Sequence, residues 1–300
     1  HWAGLLSRSA TAEPLVRARR LNRATTAVER AIDMTTMQPP PEMLPHEQLR
    51  RCVDHVLRTR GPRVLSYAPR EGVGRLRTIV AEELARSGVP VSSRDVTITT
   101  GSQQALDLIA RALLDPGDVV FVDESTYSGA INIFSAAGAR LVSVASDEEG
   151  PDPRSLRALG RLDAKAFYLM PDCGNPTGKC ISAERRRQIV AWSREVGVPL
   201  IEDDYGADLS LDGSTPPPAL RALDGQVVHL GSFSKKLIPA LRVGFLVTPP
   251  ALQRHLLPLK HTMDLGTSAL LQHGLAEFIE RGYLAAHREK LGPFYRARHD

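Results

Sequence analysis

From residue 95 onward, short apolar runs alternate with amphipathic segments along the chain. DVTITT, VVFVDE, RLVSVA, KAFYLM, VPLIEDDY, QVVHLGS and RVGFLVT are bounded by turn residues and rich in apolar, often β-branched side chains, so they read as strands. Between them, GSQQALDLIARALL and YSGAINIFSAAG place apolar residues at helical spacing. AERRRQIVAWSREVG reads as a helix whose first turn Ser182 caps. Near-continuous apolar strands alternating with helices predict an α/β fold, a mostly parallel sheet with helices on both faces in three layers. In such a sheet, ligands sit beyond the carboxyl ends of the strands.

Residues 1–60 follow another pattern. They are Arg-rich and partly helical, and TTMQPPPEMLP interrupts them with prolines that exclude regular structure. This reads as an N-terminal arm crossing to another layer or subunit. The expected division is an arm with part of a small domain over 1–45, a large ligand-binding domain over 46–265, and interdomain helices over 266–300. The chain opens on His1 rather than Met and stops inside the helical pattern LAAHREKLGPFYRARHD, so further chain is expected at both ends.

Composition changes this picture little. Of 300 residues, 42% are hydrophobic and 24% charged, which suits a globular chain able to bury a substantial core. A net charge of +4 is small for this length. The clusters RARRLNR (17–23) and ERRR (184–187) therefore read as solvated helix faces rather than nucleic-acid sites. No apolar run approaches the roughly 20 residues of a membrane span, and the start lacks the apolar core of a signal peptide. Cys52, Cys173 and Cys180 have no zinc-type spacing and form no disulfide framework, so a reducing cytoplasm is the expected compartment.

Five features fall at strand ends. Gly101, Ser102 and Gln103 open a helix after a strand, which makes either a phosphate cradle or a plain cap. Tyr127 follows the next strand, where a ring could stack on a flat cofactor or fill the core. Asn175, in NPTG, could donate to a phenolic oxygen or serve only the turn. Asp203, in IEDDYG, needs a cationic partner if buried, and a pyridinium nitrogen, a salt bridge or a helix cap would each answer. In HLGSFSKKLIPALRVGFLV, Lys235 can form a Schiff base with an aldehyde, while Ser232, Ser234 and Arg242 suit a phosphate. Each feature alone has an ordinary structural reading. Together, in this order, they describe pyridoxal 5'-phosphate.

The motifs NPTG, EDDYG and GSFSKKLIPALRVGF resemble those of fold-type I pyridoxal-phosphate enzymes of the class I/II aminotransferase family. The similarity is greatest to the branch shared by aminoadipate/kynurenine-type aminotransferases and MocR-type regulators. The resemblance implies that Lys235 bonds the cofactor aldehyde, Asp203 pairs with the pyridine nitrogen, and Asn175 and Tyr205 hold the phenolic oxygen. It also implies that Tyr127 stacks on the ring, and that Ser102, Gln103, Ser232 and Arg242 bind the phosphate. SYAPREGVGRLR resembles the segment whose tyrosine reaches the neighbouring subunit's phosphate, so Tyr67 implies a homodimer with shared sites. Lys236 is not the match, because Ser232 and Arg242 frame Lys235.

The departures lie on the substrate side. Thr36 and Met37 stand where relatives carry small residues lining the substrate pocket, and Arg70 is an unusual charge near the expected cofactor. The family's C-terminal small domain, with its carboxylate-binding arginine, is expected beyond residue 300. The leading expectation is an aminotransferase acting on an α-amino acid and a 2-oxo acid. One rival is the effector domain of a MocR-type regulator, with a DNA-binding winged helix upstream. Another is a pyridoxal-phosphate enzyme of elimination, oxidation or decarboxylation, because one constellation hosts several chemistries.

Overall fold

The computed structural model describes residues 2–16, 38–160, 162–206 and 215–299. Seven strands form the central sheet: β1 (Val96–Thr99), β2 (Val119–Asp123), β3 (Arg140–Val144), β6 (Ala164–Leu169), β7 (Leu200–Asp204), β8 (Val228–Ser232) and β9 (Gly244–Val247). β4 (Ser146–Asp147) and β5 (Gly150–Pro151) make a separate small hairpin. The spatial order is β1-β9-β8-β7-β6-β2-β3. Neighbours are parallel from β8 through to β3, while β9 runs antiparallel to both β1 and β8. The predicted strands are all present, and the sheet is mostly parallel.

The single reversed strand matters for the site. Because β1, β2, β6, β7 and β8 run in one direction, their carboxyl ends share one edge of the sheet. β9 runs the other way, so its beginning lies at that edge, with Gly244 opposite Ser232 and Thr99. The loop entering β9 therefore brings Arg242 to the place where the other strands end.

Strand alternation divides the core. Ile201, Tyr168, Leu230 and Leu246 face the helices Gly101–Leu113, Ser128–Ala136 and Pro250–Asp264. Phe121, Phe167, Leu169 and Leu200 face the opposite layer, where Ile189, Val190 and Trp192 of the helix Ala183–Val196 cover them. Ser182 does cap that helix, accepting from Arg185 N–H at 3.2 Å. A third cluster packs the helices Gly74–Arg86 and Ala269–Glu280 with Phe233 and Phe245 beside β1 and β9. The helix His46–Arg60 lies against Ala269–Glu280, close enough that a Cβ on Gly274 would come within 3.0 Å of Val53.

ERRR is not the solvated face its charges suggest. Arg185 and Arg186 are both buried, and only Arg187 is exposed. The Arg185 guanidinium donates to Asp147 and to the carbonyls of Gly150 and Pro151, fastening the β4–β5 hairpin. Side-chain length lets both arginines reach carbonyls under the helix, which a count of charges along the chain does not reveal. RARRLNR lies outside the described residues. No helix among the described residues is long and apolar enough to cross a membrane.

Candidate functional site

The edge shared by the strand ends gathers groups that can receive an anion, a helix start and a guanidinium. β1 passes through Thr100 into the helix Gly101–Leu113, whose first-turn N–H groups lack intrahelical partners. Gly101 adopts φ +79°, and a Cβ there would lie 2.7 Å from the Arg242 guanidinium. Glycine therefore lets the cation rest directly on the helix start. Arg242 itself is left-handed at φ 48°, an unfavourable conformation for a side chain of this kind. Ser102 sits in the same first turn, half-buried.

A buried network fixes that helix start from behind. Lys260 is 1% exposed, and its ammonium donates to both Asp264 oxygens at 2.9 and 3.1 Å and to Thr267 at 3.2 Å. Asp264 also accepts from Gln104 at 2.8 Å, and Gln104 in turn accepts from Thr100 N–H at 2.8 Å. Sequence reading missed these residues. Their only signal was a lysine and an aspartate one helical turn apart, the ordinary mark of an exposed pair.

Asp203 supplies the strongest indication of a bound cation. It is 4% exposed; one carboxylate oxygen accepts from the Tyr168 hydroxyl at 2.7 Å, and the other is buried with no hydrogen-bond partner among the described residues. Burial pushes its carboxyl up to about 7, with Tyr168 pulling the other way. An unmatched buried carboxylate oxygen is costly, and a protonated ring nitrogen would both satisfy it and hold it charged. Tyr168 was not anticipated. It pairs with Ile201 across β6 and β7, hence on Asp203's face of the sheet, but the relation needs the register to be known.

The flanking carboxylates serve another purpose. Glu202 accepts from His229 at 2.8 Å and from the N–H groups of Leu220 and Arg221 at 2.6 and 3.0 Å. Burial raises the Glu202 carboxyl, but these donors outweigh it and leave the group below its ordinary value. The salt-bridge and helix-cap readings thus apply to Glu202, on the opposite face from Asp203.

Around these groups stand the remaining candidates. Lys235 is half-buried; burial, then the nearby Arg242 charge, lowers its amine, which favours the neutral nucleophilic form. Lys236 faces a different cleft of about 510 Å³, lined also by Leu84, Pro217, Phe233 and Asp204. Ser232 Oγ accepts from Ser234 N–H at 3.0 Å, and Ser234 Oγ is buried without a hydrogen-bond partner among the described residues. Tyr127 precedes the helix Ser128–Ala136, and its hydroxyl accepts from the Gln103 amide at 2.6 Å. Gln103 therefore braces the tyrosine with its side chain, leaving its backbone N–H for an anion. A Cβ on Gly129 would strike both groups, at 2.3 Å from the amide and 2.5 Å from the ring.

Asn175 lies in the loop between β6 and the helix Ala183–Val196, before a cis bond to Pro176. Arg186, fully buried, anchors this loop by donating to Asp172 at 2.8 Å and to the carbonyls of Pro171 and Ile181 at 2.9 Å each. Burial lifts Asp172 to about 6 despite Arg186. Tyr205 directly follows β7; burial and then its contact with Cys173 raise its hydroxyl.

The structure thus gathers Ser102, Gln103, Tyr127, Asn175, Asp203, Tyr205, Ser232, Ser234, Lys235 and Arg242 at one sheet edge. Tyr67 stands apart, 83% exposed, in a groove with Leu65, Ala68 and Gly266–Leu270. Arg70 is exposed in the same loop. Thr36 and Met37 lie outside the described residues.

The family model for aminotransferases of class I and II matches residues 34–290. The chain is 37% identical over 251 residues to a 2-aminoadipate transaminase of Thermus thermophilus, covering 82% of this chain and 62% of that protein. It is 35% identical over 230 residues to a probable rhizopine catabolism regulatory protein, MocR, of Rhizobium meliloti, covering 76% of this chain and 46% of that one. Among solved structures, an α-aminoadipate aminotransferase of Thermus thermophilus, complexed with N-(5'-phosphopyridoxyl)-L-leucine, superposes with a TM-score of 0.88 at 33% identity. That match covers 99% of this chain and 75% of the other. A multiple substrate aminotransferase of Thermococcus profundus gives a TM-score of 0.91 at 30% identity, covering 99% and 76%. The chain therefore spans roughly half to two thirds of the length of these curated relatives.

Proposed function

We propose that this chain, which belongs to the class I and II aminotransferase family, is the cofactor-binding body of a pyridoxal-phosphate-dependent aminotransferase acting on an α-amino acid and a 2-oxo acid. The observation that carries this reading is the buried, unmatched Asp203 oxygen on the same sheet edge as a Lys235 amine whose charge is disfavoured. When bound, the cofactor withdraws electrons from the substrate α-carbon. Asp203 keeps the ring nitrogen protonated, and Asn175 and Tyr205 donate to the phenolic oxygen. Tyr127 would stack on the ring. The first-turn N–H groups, Ser102, Ser232, Ser234 and Arg242 would hold the phosphate, and Lys235 would carry the proton to and from the α-carbon. We place the cofactor body at 46–265 with an arm before it and helices after it, assembled as a cytoplasmic homodimer that Tyr67 completes.

Borohydride reduction of the pyridoxal-phosphate-loaded protein followed by peptide mapping tests the site. A pyridoxyl group on Lys235 is expected; one on Lys236, or none with excess cofactor, refutes the assignment. For the reaction, common amino acids, ornithine and 2-aminoadipate are added and pyridoxamine 5'-phosphate is measured by chromatography. A regulator's effector domain is the second reading, favoured by the similarity to MocR. It predicts spectral changes with an amino acid but no pyridoxamine 5'-phosphate.

A further inference from the structure

Two cysteines bracket the Asn175 loop, in the order Cys173-Gly-Asn-Pro-Thr-Gly-Lys-Cys180. Both are free thiols; Cys173 is half-buried and Cys180 exposed. The loop closes on itself, with Gly174 N–H donating to the Lys179 carbonyl at 2.8 Å and Gly178 N–H to the Gly174 carbonyl at 2.6 Å. Just below, Ile181 N–H donates to the Pro171 carbonyl at 2.8 Å. The cysteines therefore lie between two cross-links at the loop's neck, Asp172 and Cys173 on one side and Cys180 on the other. Facing residues of hydrogen-bonded antiparallel segments lie about 4.5–5.5 Å apart and a disulfide spans roughly 4.4–6.8 Å, so a neck closed by such bonds is narrow enough to be bridged.

The side chains also share surroundings. Cys180 Sγ lies 3.5 Å from the Arg186 guanidinium, which binds Pro171 and Asp172 on the other side of the neck. Burial raises the Cys180 thiol and Arg186 opposes it, with Cys173 adding a smaller push upward. Cys52 is fully buried in a separate cluster and takes no part.

We propose that Cys173 and Cys180 form a thiol-modification site, joining in a reversible disulfide across the neck of the cofactor loop when a small-molecule disulfide is supplied. One cysteine thiolate attacks the small disulfide and expels a thiolate; the second cysteine attacks the mixed disulfide and expels the other. Two protein thiols are oxidised, the reagent is reduced to two thiols, and the protons pass to the expelled thiolates. The bond draws Cys173 away from the Tyr205 hydroxyl and stiffens the turn bearing Asn175, so it weakens cofactor binding. That last consequence rests on the proposed cofactor site; the bond itself does not.

Reduced protein is treated with oxidised glutathione, alkylated and mapped by mass spectrometry, and its pyridoxal-phosphate affinity is measured before and after. A Cys173–Cys180 linked peptide that dithiothreitol removes, with severalfold weaker binding, is expected. Cys180→Ser should give no linked peptide and keep its affinity through the treatment. Glutathione adducts alone, or links only between chains, refute the modification site. A linked peptide with unchanged affinity refutes its coupling to the cofactor. Reduced protein that binds no pyridoxal phosphate refutes the cofactor reading, while the mapping still decides the disulfide.

Discussion

Glu202, Asp203 and Asp204 are consecutive carboxylates with different surroundings, because a strand turns successive side chains to opposite faces. Glu202 meets an imidazole and two backbone donors, whereas Asp203 meets one tyrosine hydroxyl and keeps its other oxygen without a hydrogen-bond partner among the described residues. The folded carboxyl of Asp203 titrates near 7 against an ordinary 3.8. A raised carboxyl means that the folded chain binds the proton more tightly than the unfolded one. The stabilisation is fully present below the ordinary value and is lost as pH rises through the folded value. Cofactor-free protein should therefore lose thermal stability between about pH 4 and pH 7. Asp172 contributes a slope of the same sign, so the comparison is with Asp203→Asn, which should flatten the curve by a few kcal/mol at most, on the order of 1.4 kcal/mol per pKa unit. Adding pyridoxal phosphate should flatten the wild-type curve alone, because a ring cation holds Asp203 ionised. Identical melting profiles for both proteins across that range would show that Asp203 is not the buried acid described.

At the scale of elements, the strands were legible because each is a compact apolar run with Gly or Pro punctuation. Their shared carboxyl edge followed from the alternation with helices. What remained hidden depended on register and reach. The Tyr168–Asp203 bond requires β6 and β7 to be aligned, and the reversed direction of β9 is not written in its apolar run. Arg186 read as solvated because a charge among charges on a helix gives no sign of the carbonyls beneath it. Its position makes a prediction about the Asn175 loop. Arg186→Ala removes donors from Asp172, Pro171 and Ile181 and leaves a buried acid without its cation. Breaking such a pair costs about 3–5 kcal/mol. Urea unfolding should show a loss of that order, together with weaker pyridoxal-phosphate binding. Arg186→Lys should recover only part of it, since one ammonium cannot reach carbonyls on several sides. If Arg186→Ala retains wild-type stability and affinity, the loop is held by other contacts.

At the scale of the molecule, the start of the Gly101–Leu113 helix and the loop bearing the exposed Tyr67 are connected through one network. Lys260 and Asp264 tie the start of the Gly101–Leu113 helix to the Leu265–Gly266 turn, where a Cβ on Gly266 would come within 2.8 Å of the Ala68 carbonyl. Tyr67 precedes Ala68 and projects into solvent, with Leu65, Met263 and Leu265 also exposed. Exposed large apolar side chains and a tyrosine suit a contact between protein surfaces. In a two-fold pair, this face would bring one subunit's Tyr67 to the other's cofactor site. Each site would then combine one chain's Lys235 with its neighbour's Tyr67. Mixing Lys235→Ala with Tyr67→Phe subunits tests that geometry. In the mixed pair, one site loses both groups and the other recovers both. Tyr67→Phe alone should bind pyridoxal phosphate weakly, and Lys235→Ala alone should yield no borohydride-trapped adduct at that position. After subunit exchange, a population of sites should trap the cofactor on Lys235 with wild-type affinity. Sedimentation should show dimers throughout. Protein that sediments as a monomer yet binds the cofactor tightly, or mixtures that only average the two parents, would place Tyr67 outside the neighbouring site.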